Sequence, residues 1–290
     1  MRMLVKSELI SAVEQTGYKL IRRSLQDHIY FSVIAEADAS ISYSSLYYDY
    51  SKLQQASKEY EQATGPLTAP VGLAFGFEKL SSETLASIDA SNITTQGRSD
   101  QAHIEYLYET TYFPNLPTPH YSSKEYNTSY VSFTAAILAP SSRGTVSVLS
   151  NSLSDPPRID PQYYTTPEDV SVALHSFKQL RRALATYAQH NFTIGPNNGE
   201  VAPGAQVQTD AEIINYIRET AIPVWHVTGT CAMRPREDGG VVDSQLRVYG
   251  VQGLRVVDAS VFPVIPDAHL VAGVYMVAEK AADMIKAAYA

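Results

Sequence analysis

The chain has 290 residues, 44% hydrophobic and 18% charged, so it can bury the core of one large domain or of two lobes. Its formal net charge of −8 argues against nucleic acid or an anionic membrane surface as a partner, because both attract basic surfaces. No apolar run reaches the roughly 18 to 20 residues of a membrane span, and a single cysteine, Cys231, excludes an internal disulfide framework. Lys6 and Glu8 interrupt the apolar core that a signal peptide would need, so we expect a cytoplasmic protein.

Predicted strands dominate the first half of the chain. Residues 8–21 predict a short helix and the start of a strand, and Tyr30 to Ala37 is β-branched and aromatic, as strands are. Tyr130 to Leu138 and Thr145 to Leu149 alternate like strands around a short turn that contains glycine, which predicts an antiparallel hairpin. Residues 81–128 are polar with scattered prolines, and we expect long loops around short elements there, of the kind that often forms a substrate mouth.

Helix signals concentrate in the second half. Thr166 to Ala188 begins with a capping threonine, Pro167 at the first helical position and Asp169 as capping-box partner, and apolar residues recur at helical spacing after it. A second helix is predicted from Thr209, and a third, Val271 to Ala288, closes the chain. Strands first and helices later, without regular alternation, predict the α+β class: an antiparallel sheet with helices packed on one side.

The usual cofactor and metal patterns are missing from the sequence. It contains no G-x-G-x-x-G, no P-loop, no G-x-S-x-G elbow, and no H-E-x-x-H or C-x-x-C pair. The seven histidines show no metal-ligand spacing, so we expect no metal. Dinucleotide binding of the usual kind is therefore not encoded in these residues.

Two histidines have unusual surroundings. His226 follows an apolar run that ends at Trp225 and precedes a small-residue turn from Thr228, which predicts a side chain at a strand end, pointing into a cleft. His269 follows a proline-braced turn and precedes an apolar helix, where the helix dipole lowers the pKa of an imidazole and favours a neutral base. On this context alone, a structural role for both histidines remains the simpler interpretation.

Five motifs in order resemble the C-terminal part of the glucose–methanol–choline (GMC) flavin oxidoreductases. They are Leu25-Gln26-Asp27-His28, Arg143-Gly144-Thr145, residues 155–161, the helix opening Pro167-Glu168-Asp169, and the stretch from Val224 to Lys280. The resemblance implies a GMC substrate-domain-like sheet plus a C-terminal strand–helix remnant of the flavin domain. It divides the chain into a flavin-domain remnant at 1–28, a substrate-binding domain at 29–208 and a C-terminal segment at 209–290.

The resemblance also implies roles for individual residues. In GMC enzymes the residue matching His226 is the catalytic base that takes the alcohol proton while hydride passes to the flavin, and the residue matching His269 is its partner. The candidate substrate-binding residues near this pair are Trp225, Thr228 and Tyr275. The positions that contact FAD in the family are Asp258, Ala259, Asp267, Ala268 and Leu270.

The family's nucleotide-binding half is absent from the sequence. Glycine-containing flavin-side segments of the family are also replaced here, by residues 4–7 and 20–24. Hydride transfer requires an acceptor, so we expect no cofactor for this chain alone, and FAD only if the missing half is supplied. The apolar stretch Leu254 to Val261 predicts a strand that would lose its covering sheet, so we expect a two-fold homodimer.

Three functions are compatible with these observations. The leading hypothesis is a flavin-free GMC descendant that uses His226 and His269 for redox-neutral chemistry on a hydrophobic small molecule of secondary metabolism. Isomerisation, dehydration and cyclisation, including pericyclic closure, fall in this class. The alternative is a FAD-dependent alcohol oxidase or dehydrogenase, present as a fragment or subunit, with His226 as general base. The third is a non-catalytic ligand-binding pseudoenzyme.

Overall fold

A computed structural model describes residues 21–69, 72–93, 100–113, 128–150, 152, 154–267 and 269–289. Its nine strands are β1 (Ile21–Leu25), β2 (Ile29–Glu36), β3 (Gly72–Glu78), β4 (Ile104–Glu109), β5 (Tyr130–Ile137), β6 (Gly144–Ser147), β7 (Arg158–Asp160), β8 (Glu200–Ala202) and β9 (Ile222–Pro223). The main sheet has the order β3-β4-β5-β2-β8, with β9 also paired to β2, and a smaller sheet has the order β1-β6-β7. The helix predicted near the N-terminus lies outside the described residues.

Six α-helices accompany these sheets in the described residues. They are α1 (Ser45–Tyr48), α2 (Tyr50–Tyr60), α3 (Ser82–Ser87), α4 (Pro167–Ala188), α5 (Asp210–Thr220) and α6 (Val271–Tyr289). All strand pairs are antiparallel, which confirms the predicted α+β class. Within the described residues, no helix combines the length and the apolar character that crossing a bilayer requires.

The main core lies between the sheet and α4 and α5. Strands β2 and β5 pair along their whole length, from Ile29 opposite Ile137 to Glu36 opposite Tyr130. Because strand side chains alternate between faces, the odd-numbered residues of both strands face the helices. The fully buried side chains of this layer include Phe31, Val33, Phe177, Leu180, Leu184, Ile213 and Ile217. Their burial fixes the register of the sheet, because a one-residue slip would turn every one of them to the other face.

The starts of α4 and α5 show the predicted threonine caps, but the capping box predicted for α4 does not form. Thr209 and Glu212 form a complete capping box at α5. At α4, Thr166 accepts a hydrogen bond from the backbone N–H of Asp169 at 3.4 Å. The Asp169 carboxylate instead accepts from the backbone N–H groups of Ser141 and Ser142, at 2.7 and 2.8 Å. The helix start therefore also anchors the connection that leaves β5.

Two local predictions were wrong. Strands β5 and β6 do not form a hairpin; β6 pairs with β1 and β7, because the Asp169-anchored connection turns the chain into the smaller sheet. The expected strand over Leu254 to Val261 is reduced to one bridge, between Arg247 and Arg255, and a 3-10 turn at Ala259–Val261. Within the described residues, no neighbouring strand continues that bridge into a ladder.

Candidate active site

The face of the main sheet opposite the helices is unusually polar. One row across it contains Tyr30 on β2, Ala136 on β5 and Glu105 on β4. Further along the same face lie Ser32, Glu109, Ser132 and Thr134. Glu105 is 1% exposed and Glu109 is 5% exposed. Buried carboxyl groups are costly unless they are paired or protonated, so this face has a purpose beyond packing.

The two predicted catalytic histidines meet at one end of this face. The rings of His226 and His269 lie perpendicular, with centroids 5.1 Å apart. His269 Nε2 lies 3.2 Å from Glu105 Oε1, within ion-pair distance but without the alignment of a good hydrogen bond. The ring of Phe75 contacts His269 edge-on from β3. The chain thus brings together two histidines from separate loops and joins one of them to the sheet.

A third histidine completes the group. His28, just before β2, is 1% exposed, and its Nδ1 lies 3.0 Å from Nδ1 of His226. The two rings meet edge-to-face with centroids 5.2 Å apart. His226 therefore lies between a fully buried imidazole and the half-exposed imidazole of His269.

The segment before β2 holds the His226 loop in place. Asp27 Oδ1 accepts a hydrogen bond from the backbone N–H of His226 at 2.8 Å. The backbone groups of Gln26 and Thr228 exchange two hydrogen bonds, of 3.1 and 2.9 Å. Gly229 has φ +83°, and a Cβ there would lie 2.1 Å from the carbonyl oxygen of Ser24, so only glycine fits this approach.

The same glutamine also holds the loop before His269. Gln26 Oε1 accepts from the N–H of Ile265 at 3.2 Å, and its Nε2 donates to the carbonyl of Pro263 at 3.3 Å. From the other side, the N–H of Ala102 donates to Asp267 at 3.3 Å. Gln26 therefore links both histidine loops to the segment before β2, the His226 loop through its backbone and the His269 loop through its side chain.

Burial sets the charge states of the group. It lowers the pKa of His28 to about 3 and, together with the charge of His269, lowers the pKa of His226 to about 4. Burial raises the pKa of Glu105 against the opposing effect of His269, and raises the pKa of Glu109 to about 7 although Thr134 donates to it at 2.8 Å. At neutral pH, His28 and His226 are uncharged, and carboxyl groups able to hold a proton lie nearby.

The structure places the predicted substrate-binding residues differently. Thr228 is fully buried in the bridge to Gln26. Trp225 is 74% exposed with φ +59°, and Tyr275 is 69% exposed on α6. Their substrate contacts stay predictions.

The predicted flavin positions are partly described. Asp258 is exposed and accepts a hydrogen bond from the N–H of Ser260 at 2.8 Å, Ala259 starts the 3-10 turn, and Leu270 is buried. Asp267 bonds Ala102, and Ala268 lies outside the described residues. The surface beside them is open: Val257, Val271 and Met276 are exposed. These residues do not by themselves enclose a flavin.

Sequence reasoning missed Glu105, Glu109 and the ring contact of His28. Glu105 and Glu109 alternate with large apolar residues in the strand sequence Ile-Glu-Tyr-Leu-Tyr-Glu. Two carboxylates on one face of a buried strand are rare in structural sheets, and that signal could have identified them. In the part of the chain that the structure describes, no group of three or more His, Cys, Asp or Glu is arranged to hold a metal ion.

Comparison with protein families identifies the class of protein. Residues 140–278 match the model of the GMC oxidoreductase family, in its C-terminal domain. This stretch of the chain therefore matches the C-terminal domain of the GMC oxidoreductases, as the sequence motifs predicted.

Curated relatives are fungal enzymes. The chain is 37% identical over 267 residues to Dehydrogenase pkfF of Emericella nidulans, which covers 92% of this chain and 43% of the relative. It is 39% identical over 247 residues to versicolorin B synthase of Aspergillus parasiticus, covering 84% of this chain and 37% of the relative. A patulin synthase of Aspergillus clavatus is 35% identical, with 94% and 44% covered. The chain thus spans about two fifths of the length of these relatives.

Solved structures share the fold. A formate oxidase of Aspergillus oryzae superposes with a TM-score of 0.70 at 20% identity, covering 96% of this chain and 50% of that one. A FAD-dependent oxidoreductase of Chaetomium thermophilum gives a TM-score of 0.71 at 24% identity, covering 96% and 51%. These neighbours confirm the architecture, and each is about twice as long as the matched region.

Proposed function

We propose that this chain carries an acid–base site that moves protons on a hydrophobic small molecule in a redox-neutral reaction. Isomerisation, dehydration and cyclisation are reactions of this class. In a pericyclic closure, which transfers no proton, the same histidines would orient and polarise the substrate. The observation that carries the proposal is the contact of His226 with both His28 and His269, next to the buried carboxyl of Glu105. An uncharged imidazole beside a buried, polar sheet face is suited to general base catalysis.

The proton steps balance without an oxidant. His226 takes a proton from a substrate hydroxyl or from an acidified carbon. The electron pair left behind forms a C=C bond or a ring C–O bond. His269, whose Nε2 lies 3.2 Å from Glu105 Oε1, gives a proton to the departing hydroxyl, whose C–O bond breaks so that water leaves. In an isomerisation or a simple cyclisation, the second proton goes to carbon or oxygen of the product instead. Each route needs only that the two histidines face opposite ends of the reacting group.

Relatives support a small-molecule enzyme. Versicolorin B synthase and patulin synthase are named for the formation of a defined small product, and another relative is named a dehydrogenase. We infer that the substrate class is a hydrophobic, hydroxylated molecule of secondary metabolism. The apolar residues on and beside this face, among them Tyr30, Leu107, Ala136 and Phe113, favour such a molecule over a sugar.

A second candidate is FAD-dependent alcohol oxidation with His226 as the base. It is favoured by the exposed apolar surface beside the histidines and by solved neighbours about twice the length of the matched region. In that case FAD and its nucleotide-binding half come from a partner or from further residues of a longer polypeptide.

An absorption spectrum of the purified chain, before and after addition of excess FAD and desalting, separates the candidates. We expect a folded, colourless protein that retains no flavin. Incubation with a panel of hydrophobic alcohols and hydroxyketones should give products of unchanged mass or products that have lost water. Retained flavin together with loss of two hydrogens from an alcohol would overturn the redox-neutral proposal in favour of oxidation.

Matched histidine variants test whether the site is catalytic at all. We expect His226→Ala to lower turnover by about 10² to 10⁴, the range for a lost general acid or base. The control is His190→Ala, since His190 is exposed and stacks only on Phe192. Equal turnover in wild type and in both variants would instead support a non-catalytic binding module.

A further inference from the structure

The contact between His28 and His226 requires one proton between two nitrogens. The Nδ1 atoms lie 3.0 Å apart, a hydrogen-bond distance, and a nitrogen–nitrogen hydrogen bond needs one N–H and one lone pair. Burial keeps both rings uncharged at neutral pH, because it lowers both pKa values. Each ring therefore carries a single proton, and only two arrangements exist. Either His226 donates from Nδ1 and keeps a lone pair on Nε2, or His28 donates and His226 carries its proton on Nε2.

The surroundings of the other His28 nitrogen favour the first arrangement. His28 Nε2 is fully buried, and no described residue offers it a hydrogen bond of good geometry. The backbone carbonyl of Leu138 nevertheless favours the protonated form of this ring, raising the pKa of His28 against the effect of burial. A carbonyl only accepts, and Nδ1 already faces His226, so the carbonyl favours an N–H at Nε2. His28 then accepts at Nδ1.

We infer that His28 is a positioning residue that accepts the Nδ1 proton of His226 and so leaves the His226 Nε2 lone pair free to act as the base. This inference rests on the proposed acid–base function. His28 is 1% exposed, so it acts through His226 and does not touch the substrate itself. If the proton sat on Nε2 of His226, that nitrogen could only donate, and the ring would offer the substrate no base.

Backbone hydrogen bonds near both histidines hold the two rings in this contact. The N–H of Val224 donates to the carbonyl of His28 at 2.9 Å, and the N–H of His226 donates to the adjacent Asp27 carboxyl at 2.8 Å. Each of these bonds joins one of the two histidines to a residue within two positions of the other. They hold the two rings in contact, and the Leu138 carbonyl then favours one of the two proton positions.

Nitrogen NMR of the full chain, labelled with ¹⁵N in its histidines, measures the tautomer without any assay. We expect His226 to show a protonated Nδ1 and an unprotonated Nε2, with a coupling across the hydrogen bond to an unprotonated Nδ1 of His28. Single substitutions at positions 28 and 226 assign the signals. A protonated Nε2 on His226 overturns the inference. This measurement needs no substrate, so it can contradict the inference about His28 without contradicting the proposed function.

Variants then connect the tautomer to turnover. We expect His28→Leu to leave His226 as a tautomer mixture and to lower kcat by about 10- to 100-fold, with little change in KM. His28→Asn retains an amide oxygen that can accept from Nδ1, and we expect it to recover most of that loss. A His28→Asn variant as impaired as His28→Leu, with both still folded, would contradict the positioning role. If His28→Leu fails to fold, the spectrum of the wild-type chain decides.

Discussion

Different interactions stabilise the body of the molecule and its C-terminal segment. In the body, residues 29–223, α4 and α5 each bury one face against the sheet. In the C-terminal segment, residues 224–289, the cluster of buried apolar residues is small, and α6 buries only Ala281 among its described side chains. The body is stabilised by its core, whereas the C-terminal loops are positioned by hydrogen bonds from Gln26 and Asp27. Catalysis is proposed where the two regions meet.

The largest expected effect is on the body. Phe177 is fully buried and contacts the ring of Tyr216, with centroids 6.0 Å apart. Phe177→Ala should lower the free energy of unfolding by about 3–5 kcal/mol, through lost transfer energy and a cavity between helix and sheet. Denaturant unfolding measures it, and the exposed Tyr60→Ala is the control. Equal midpoints for both variants would show that the sheet–helix layer is not the main source of stability.

The next largest effect is a pH dependence of stability caused by Glu109 on the polar face of the sheet. Burial raises the pKa of Glu109 from its ordinary 4.5 to about 7, so its stabilising contribution is present below pH 4.5 and is lost as pH rises through 7. The loss amounts to about 3 kcal/mol, since one pKa unit is about 1.4 kcal/mol. Glu109→Gln removes this titration, so we expect the variant to gain stability relative to wild type between pH 4.5 and 8.

Glu212→Gln is the matched control with the opposite sign. Glu212 is exposed, and hydrogen bonds from the Thr209 and Gln208 backbone lower its pKa. Its contribution is present above its ordinary pKa and lost as pH falls, so this variant should weaken relative to wild type as pH rises. The lowered pKa values of His28 and His226 affect wild type and variants alike and cancel in each difference. Parallel pH profiles for Glu109→Gln and wild type would contradict burial as the cause.

How far the sequence predicts this molecule depends on the range of the interaction. The caps of α4 and α5 and the strands near Tyr30 and Tyr130 were predicted correctly, because they depend on neighbouring residues. The pairing of β6 and the face on which Glu105 lies depend on strands far along the chain. Alternation of polar and apolar residues alone cannot identify those partner strands, so the predicted β5–β6 hairpin was wrong. The histidine pair was located through the resemblance, whereas the contact of His28 with His226 needed the fold.

A smaller effect on stability is expected at Gln26, where the body meets the C-terminal segment. Gln26→Leu removes hydrogen bonds to Pro263 and Ile265, and we expect a loss of about 1–3 kcal/mol from the groups left unpaired. Hydrogen exchange should accelerate in residues 263–267 while β2 and β5 stay protected. The control is Gln55→Leu, since Gln55 is exposed and bonds only within α2 to Glu59. Exchange that accelerates equally across the sheet would show that the C-terminal loops are not held separately from the body.

The smallest effect on folding concerns α6, where the comparison between the regions is sharpest. Tyr275 and Met276 are each 69% exposed on a helix that is apolar in composition. Replacing both by serine should change the free energy of unfolding by no more than about 0.5 kcal/mol each, as for exposed sites in general.

If the predicted homodimer forms through this face, light scattering after size exclusion should show a dimer for wild type and a monomer for the double variant. The control Tyr60→Ser, on exposed α2, should leave the dimer intact. A monomeric wild type at micromolar concentration would remove self-association as the means of covering this surface, and the need for a covering partner would then favour the flavin-dependent candidate.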